Sequence, residues 1–366
     1  MPKKIYVTKP FLPPLEEYKK YLDNIWESNF ITNSGPYHDQ LESELCDFLG
    51  VKHISLFCNG TIALLVGIKA LELKGEVITT PYSFVATAQA IKWNGLDPVF
   101  VDIEPKYCNL DPSEIEQAIT EKTSAILPVH VYGHPCDTKT IKRIANKYNL
   151  RVMYDSAHAF AVKKDKKSIL NEGDLSVLSF HATKVFNTFE GGAIISGSHK
   201  MKKKIDDLKN FAFQDETTVN GLGINGKMNE AQAAFGLLQL KYIKNNIKSR
   251  KKISEIYREQ LSNISGIKFT QEVEEIDYNY SYMPVLINKK TFGISRDKLY
   301  EKLKKSEIFS RRYFYPLITD FPVYKNSKSF DMPNAKLVAK QILCLPIYPD
   351  LSVSEINRIC KVIKER

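Results

Sequence analysis

The sequence predicts an α/β protein with a large domain built on a mostly parallel central sheet and a smaller C-terminal α/β domain. Three observations carry that expectation. Short apolar runs alternate with helical stretches between about residues 54 and 196, the pattern of strands joined by helical crossovers. A long helical region starts near Asn229 and runs past Tyr257, followed by a second mixed α/β stretch. The 366 residues are too many for one small core and suit one large and one smaller domain, divided here into 1–250 and 251–366.

The elements follow in order. Residues 14–27 place Leu15, Tyr18, Leu22 and Ile25 on one helical face, and residues 38–49 do the same with Leu41, Leu45, Phe48 and Leu49. Strands are expected at Ile54–Phe57, Val77–Thr79, Val99–Asp102, Ala125–Val131, Val152–Asp155, Leu175–Ser179 and Ala193–Ser196. Helices are expected near 61–73, 84–93, 111–120 and 138–149. The third of these opens on Asp111, Pro112 and Glu114, read as an N-cap, a first-position proline and a capping-box acid. Runs buried on both faces imply helices on both sides of the sheet. The C-terminal part reads as a strand near Tyr280–Ile287, a helix from Ser295, a strand near Ile308–Tyr313 and a last helix capped by Ser352 with Glu355.

Composition narrows the function classes. Hydrophobic residues at 43% and charged residues at 26% are ordinary globular usage, so a sizeable core is available. The net charge of +10 is scattered in short lysine runs without interleaved aromatics, which fits a solvated surface better than a nucleic-acid footprint. It also suits a substrate bearing a diphosphate. No two of the six cysteines have a CxxC spacing, so free thiols in a reducing compartment are expected, and no metal site. His130 and His134 are four apart but straddle Gly133 after a strand-like run, a poor metal pair. The opening Met1-Pro2-Lys3-Lys4 lacks an apolar signal core and no window reaches 18 apolar residues. A cytoplasmic protein without a membrane span is expected.

Ligands of open parallel sheets bind beyond the carboxyl ends of the strands. Four groups follow such ends here: Gly60 and Thr61; Phe84; Asp155 with His158; and Ser179 with Lys184. Gly60 and Thr61 open a helix, whose free N–H groups and positive dipole end make an anion seat. Ser179 can donate a hydroxyl to the same anion, and Phe84 can lie against a flat ring. A carboxylate after an apolar strand, Asp155, calls for a cationic partner. A partly desolvated Lys184 would be nucleophilic and able to form a Schiff base. Taken singly, each has an ordinary reading: a capped turn, core packing, a helix cap or ion pair, a core histidine, a surface lysine. Their arrival on one edge of one sheet is what marks a site.

Gly60-Thr61, Asp155 with His158, the segment from Ser179 to Lys184, Glu190-Gly191-Gly192 and the segment Gly223, Asn225, Met228 together resemble the sugar aminotransferases of the DegT/DnrJ/StrS family over nearly the whole chain. The resemblance implies the fold type I of aspartate aminotransferase and pyridoxal 5′-phosphate as cofactor, with pyridoxamine 5′-phosphate as its other form. It also implies a homodimer with shared active sites. By the same resemblance Lys184 carries the cofactor, Asp155 pairs its ring nitrogen, His158 lies near its 3-oxygen, and Gly60, Thr61 and Ser179 hold its phosphate. Phe84 stacks on the ring, and Asn225 reaches the site of the other subunit. Members with histidine in place of the lysine act as dehydrases, a branch that Lys184 argues against. The segments Thr8–Pro14, Ile31–Pro36 and Arg311–Pro316 resemble members acting at C4 of a dTDP-linked 4-keto-6-deoxyhexose with L-glutamate as donor. Amination at C3 stays open, and a regulator with an aminotransferase-like domain is a remote alternative. Arg311, Arg312 and Tyr313 are expected substrate contacts, because arginine suits bidentate phosphate pairing; a basic surface strand is the plain alternative.

Overall fold

The computed structural model describes residues 3–365; the first two residues of the N-terminal stretch lie outside it. A short strand, β1 (Ile5–Tyr6), precedes helices α1 (Leu15–Ser28) and α2 (Pro36–Leu49). Strand and helix then alternate through β2 (His53–Phe57), α3 (Gly60–Ala70), β3 (Glu76–Thr79), α4 (Ala86–Trp93), β4 (Asp97–Phe100), β5 (Thr123–Leu127), α5 (Thr138–Tyr148) and β6 (Arg151–Asp155). A small hairpin, β7 (Lys163–Lys164) and β8 (Lys167–Ser168), leads to β9 (Leu175–Ser179), β10 (Gly192–Ser196) and α6 (His199–Lys209). Beyond the long α7 (Glu230–Leu261) come β11 (Ile267–Phe269), β12 (Ile276–Asp277), β13 (Met283–Ile287), α8 (Lys289–Phe292), α9 (Arg296–Lys305) and β14 (Ile308–Phe309). The chain closes with α10 (Pro333–Gln341), β15 (Ile342–Leu345) and α11 (Val353–Lys364).

Seven strands form the central sheet in the order β2-β10-β9-β6-β5-β3-β4. Only β10 runs against its neighbours β9 and β2, so the other six share one direction. The carboxyl ends of β2, β3, β6 and β9 therefore emerge on one edge. Both faces are covered, and successive residues alternate between two cores. On β2, Ile54 and Leu56 pack with Leu41, Leu45 and Leu237 of α2 and α7, while Phe57 packs with Leu64 and Ile68 of α3. That two-sided burial is why the strands read as continuous apolar runs. Because β10 is antiparallel, β9 and β10 form a hairpin whose last pair, Ser179 and Gly192, closes the segment that carries Lys184.

A second, three-stranded sheet, β11-β13-β15, packs with α7 and α11 around Tyr257, Leu261, Met283, Val285 and Ile359. Near the N-terminus, β1 pairs in parallel with β14, so Ile5 and Tyr6 join this second layer. At ~1.5 Å per residue α7 is about 48 Å long; it crosses residue 250 without interruption and packs on both cores. Its start is fixed by a capping box between Asn229 and Gln232. The buried Glu230 caps a second helix by accepting from the Tyr37 and His38 N–H groups at 2.9 and 2.8 Å.

Three expected elements differ. The helix expected over 111–120 is two 3-10 turns, Pro112–Glu114 and Glu116–Ala118, because Asp111 accepts from Ser113 N–H, one residue too early for a capping box. The strand expected to reach Val131 stops at Leu127, where Pro128 has no N–H to give a ladder. The strand expected over 308–313 pairs only at Ile308–Phe309, and Arg311 instead bridges Cys344. His130 and His134 flank a short turn rather than sharing a helix face. His130 Nδ1 accepts from the Cys136 N–H, and His134 stacks on Tyr107.

Candidate active site

The strand ends on the common edge enclose a cavity of about 280 Å³. Gly60, Thr61, Phe84, Asp155, His158, Ser179, Lys184 and Tyr313 line it, joined by Tyr282 and Phe314 from the second layer.

The anion seat is built by α3. Asn59 caps the helix by accepting from Ile62 N–H at 2.8 Å, leaving the Gly60 and Thr61 N–H groups without an intrahelical acceptor. Gly60 is pressed against β9: a Cβ there would come within 2.9 Å of the Ser179 Cβ, so glycine is what lets the helix start touch Ser179.

Asp155 ends β6 and is 5% exposed. Its Oδ2 accepts from Thr87 Oγ1 at 2.7 Å and its Oδ1 from the Ala157 N–H at 3.1 Å. Burial pushes its pKa up from the ordinary value, against the pull of these two bonds and of Lys184. Among the described residues it forms no ion pair, so the carboxylate faces the cavity short of a cation. Thr87 was not among the residues expected from sequence. Ser83 Oγ lies 2.9 Å from Thr87 Oγ1 and can donate to it, leaving the threonine proton for the carboxylate. Thr87→Val keeps the shape and removes this donor. The expected result is about tenfold weaker cofactor binding, the scale of one hydrogen bond to a charged group, read by absorbance titration.

His158 Nδ1 accepts from the Tyr132 N–H at 3.2 Å, and burial, with the nearby Lys184 charge, holds its pKa well below the ordinary histidine value. The ring is therefore neutral with its proton on Nε2, a donor. It stacks on Phe314 with centroids 5.8 Å apart.

Lys184 rides on the β9–β10 hairpin, its N–H tied to the His181 carbonyl at 2.8 Å. Desolvation inside the cavity lowers its ammonium to about 8, only partly offset by the charge of Asp155. Among the described residues it makes no salt bridge; its Nζ lies 3.3 Å from the Tyr282 hydroxyl.

Phe84 is 59% exposed and stands at the mouth. Tyr313 is held by its carbonyl, which accepts from the Tyr132 hydroxyl and lies 3.0 Å from the Tyr82 hydroxyl. Arg311 and Arg312 do not line the cavity. Arg312 pairs with Asp297 at 2.8 Å and lies over the Tyr300 and Tyr315 rings. Asn225 is exposed, bridged to Asn210 and not among the residues lining its own cavity. The loop leading to it exposes Phe211, Phe213, Val219, Leu222 and Ile224.

A desolvated amine, a buried carboxylate short of a cation, a flanking aromatic and an open helix N-terminus match the aldehyde, ring nitrogen, ring face and phosphate of pyridoxal phosphate. Fold and site thus define a pyridoxal-phosphate enzyme of the aminotransferase type. The chain belongs to the DegT/DnrJ/EryC1/StrS aminotransferase family, whose model matches residues 15–364. It is 54% identical over 366 residues to the dTDP-4-amino-4,6-dideoxy-D-glucose transaminase of Shigella dysenteriae, covering 100% of both chains. It is 52% identical over 365 residues to the Escherichia coli enzyme of the same name, covering 99% of this chain and 98% of that one. Among solved structures, DesI in the presence of its TDP-sugar product superposes with a TM-score of 0.96 at 32% identity, covering 100% of this chain and 93% of the other. NtdA from Bacillus subtilis with bound cofactor PMP does so with a TM-score of 0.88 at 28% identity, covering 96% and 81%. No helix among the described residues is long and apolar enough to cross a membrane.

Proposed function

We propose that the protein transfers an amino group from L-glutamate to C4 of a dTDP-linked 4-keto-6-deoxyhexose, giving the 4-amino-4,6-dideoxy sugar for a bacterial surface glycan such as an O-antigen. The observation that carries this reading is the 54% identity, over the whole length of both chains, to an enzyme named for that product.

The chain's own residues divide the work. When bound, the cofactor supplies a carbonyl for amine exchange and a ring that accepts an electron pair. The N–H groups of Gly60 and Thr61 and the Ser179 hydroxyl hold its phosphate, and Phe84 covers one ring face. His158 offers Nε2–H to the ring's oxygen substituent, and Asp155 keeps the ring nitrogen protonated. Lys184 Nζ, once free, takes a proton from the amino-donor carbon and later delivers one to the sugar carbon. An amine near 8 does both close to neutral pH. Tyr313 bounds the sugar side of the cavity.

We also propose a homodimer with shared sites, a division into two domains near residue 250 and a cytoplasmic setting. The exposed Asn225 and the apolar residues before it support the first, and six free cysteines fit the last. A mixture of Lys184→Ala and Asn225→Ala subunits should recover about a quarter of the wild-type rate, because half of randomly paired dimers carry one intact site. No recovery after subunit exchange would remove the shared site.

The function is tested by absorbance and product NMR. The holoenzyme's Schiff-base band should bleach with L-glutamate and return with dTDP-4-keto-6-deoxyglucose, with nitrogen at C4 of the product. Recovery only with a 3-keto isomer would move the chemistry to C3, and a protein that never takes up the cofactor would overturn the reading.

A further inference from the structure

We propose that Tyr282 is a further catalytic residue, whose phenolic oxygen holds the Nζ of Lys184 whenever that nitrogen is not bonded to the cofactor. The inference rests on Lys184 being the proton carrier described above.

The geometry is specific. Tyr282 comes from the second layer, directly before β13, and meets Lys184 from 98 residues further along the chain. Its oxygen, 3.3 Å away, is the one hydrogen-bond partner that Lys184 Nζ has among the described residues. The hydroxyl itself is bound to no other group there, and burial keeps it protonated by raising its pKa.

The ring is fixed by its neighbours. His158 meets it edge-on at 4.8 Å, Tyr313 at 5.7 Å, and Tyr132 lies tilted at 5.6 Å. The preceding backbone is bolted to the histidine segment. Asn279 donates to the His158 and Phe160 carbonyls at 2.8 and 2.9 Å, and Ser281 Oγ donates to the His158 carbonyl at 2.8 Å. The oxygen is thus a fixed point, while Lys184 is a flexible four-carbon stem on a loop.

A free amine has two N–H bonds and one lone pair. Donating one N–H to Tyr282 leaves the lone pair and the second N–H directed elsewhere, so the nitrogen waits in one orientation instead of many. Orientation of this kind is a large part of what an active site contributes to a proton transfer. The titratable groups facing Lys184 are the Asp155 carboxyl and the neutral His158 ring, with the Arg250 guanidinium behind the tyrosine. Neither Asp155 nor His158 is within bonding distance of Nζ, so neither can replace the phenol.

Tyr282→Phe keeps the ring and removes the oxygen. In stopped-flow absorbance of the holoenzyme with L-glutamate, protiated or deuterated at C2, the variant should react about 10- to 100-fold more slowly. Its isotope effect should be larger than wild type's, with cofactor content and melting temperature unchanged. A second measurement needs no turnover: the pH dependence of Lys184 acylation in the cofactor-free protein. There the midpoint, about 8 in wild type, should fall by about half a unit to one unit, because the ammonium loses an acceptor. An unchanged rate, isotope effect and midpoint would overturn the proposal, as would a loss confined to cofactor content or melting temperature. Were wild type itself unresponsive to glutamate, the proposed reaction would fall and the acylation midpoint would still decide the contact.

Discussion

Lys184→Ala is expected to lower turnover by about 10⁵-fold or more, the scale of removing an essential reacting group, while the protein folds as well as before or better. Activity and stability part company here for one reason. The ammonium is desolvated enough for its pKa to fall to about 8, and among the described residues it has no salt bridge to offset that cost. Deleting it removes a desolvated charge, leaves the Tyr282 hydroxyl without its contact and takes from Asp155 the smaller pull of that charge. A thermal melt should therefore be unchanged or shifted upward, while single-turnover absorbance with L-glutamate shows no fast phase. Lys184→Arg separates charge from proton exchange. Arginine keeps the positive charge but does not release a proton near neutral pH, so it should be as inactive as alanine. Activity above about one-thousandth of wild type in either variant would show that another base serves the reaction.

Asp155→Asn carries the second large effect: turnover lower by about 100-fold or more, the scale of losing a preorganised electrostatic contact. An amide neither holds a positive charge nor keeps the ring nitrogen protonated. In the cofactor-free protein the same change should stabilise, and the sign follows from burial. The carboxyl's pKa is raised above its ordinary 3.8, so the folded state binds the proton more tightly than the unfolded state does. Stability then falls as pH rises from the unfolded pKa through the folded one, and stays reduced at neutral pH. Asparagine escapes that loss. The variant's cofactor-free form should melt above wild type at pH 7, with the advantage gone below about pH 4. With cofactor bound the order should reverse, because the ring nitrogen then supplies the missing cation. A cofactor-free variant that melts lower than wild type at pH 7 would show that Thr87 and the Ala157 N–H satisfy the carboxylate fully.

How much of this was legible in the sequence depends on distance along the chain. The strands of the central sheet were, because burial on both faces writes each as a largely apolar run, as in Val152–Tyr154. Lys184 and Asp155 were singled out because each lies at or just after the end of such a run. Helix α6 was missed because it is lysine-rich and buries only Ile205 and Lys209, so its apolar stripe is too thin to read. The helix expected at 111–120 failed for the opposite reason: its start signals were real, but they belong equally to a short turn. Thr87 and Tyr282 lay out of reach altogether. Thr87 meets Asp155 across 68 residues and Tyr282 meets Lys184 across 98, contacts that no local pattern encodes. A polar residue facing a strand-end site from a distant element is visible only once the layers are packed. Arg312 shows the converse: an arginine near a site in sequence turns to the Asp297 carboxylate and the Tyr300 and Tyr315 rings instead, while its neighbour Arg311 is exposed.

The reversed direction of β10 has a consequence for redesign. Every other connection on the sheet is a crossover whose two ends lie far apart, so its length can vary without moving what the strand end presents. The segment bearing the reactive nitrogen is different: it leaves and re-enters the sheet through one closed pair, Ser179 and Gly192. Its span is thus anchored at both ends within one interstrand spacing of about 4.8 Å, and its residue count sets how far the lysine stem projects. A circular permutant opened in any other connection would keep that projection, whereas one opened here would free the amine from its register. In a recombined or permuted version of this fold, this hairpin is the piece to transplant whole.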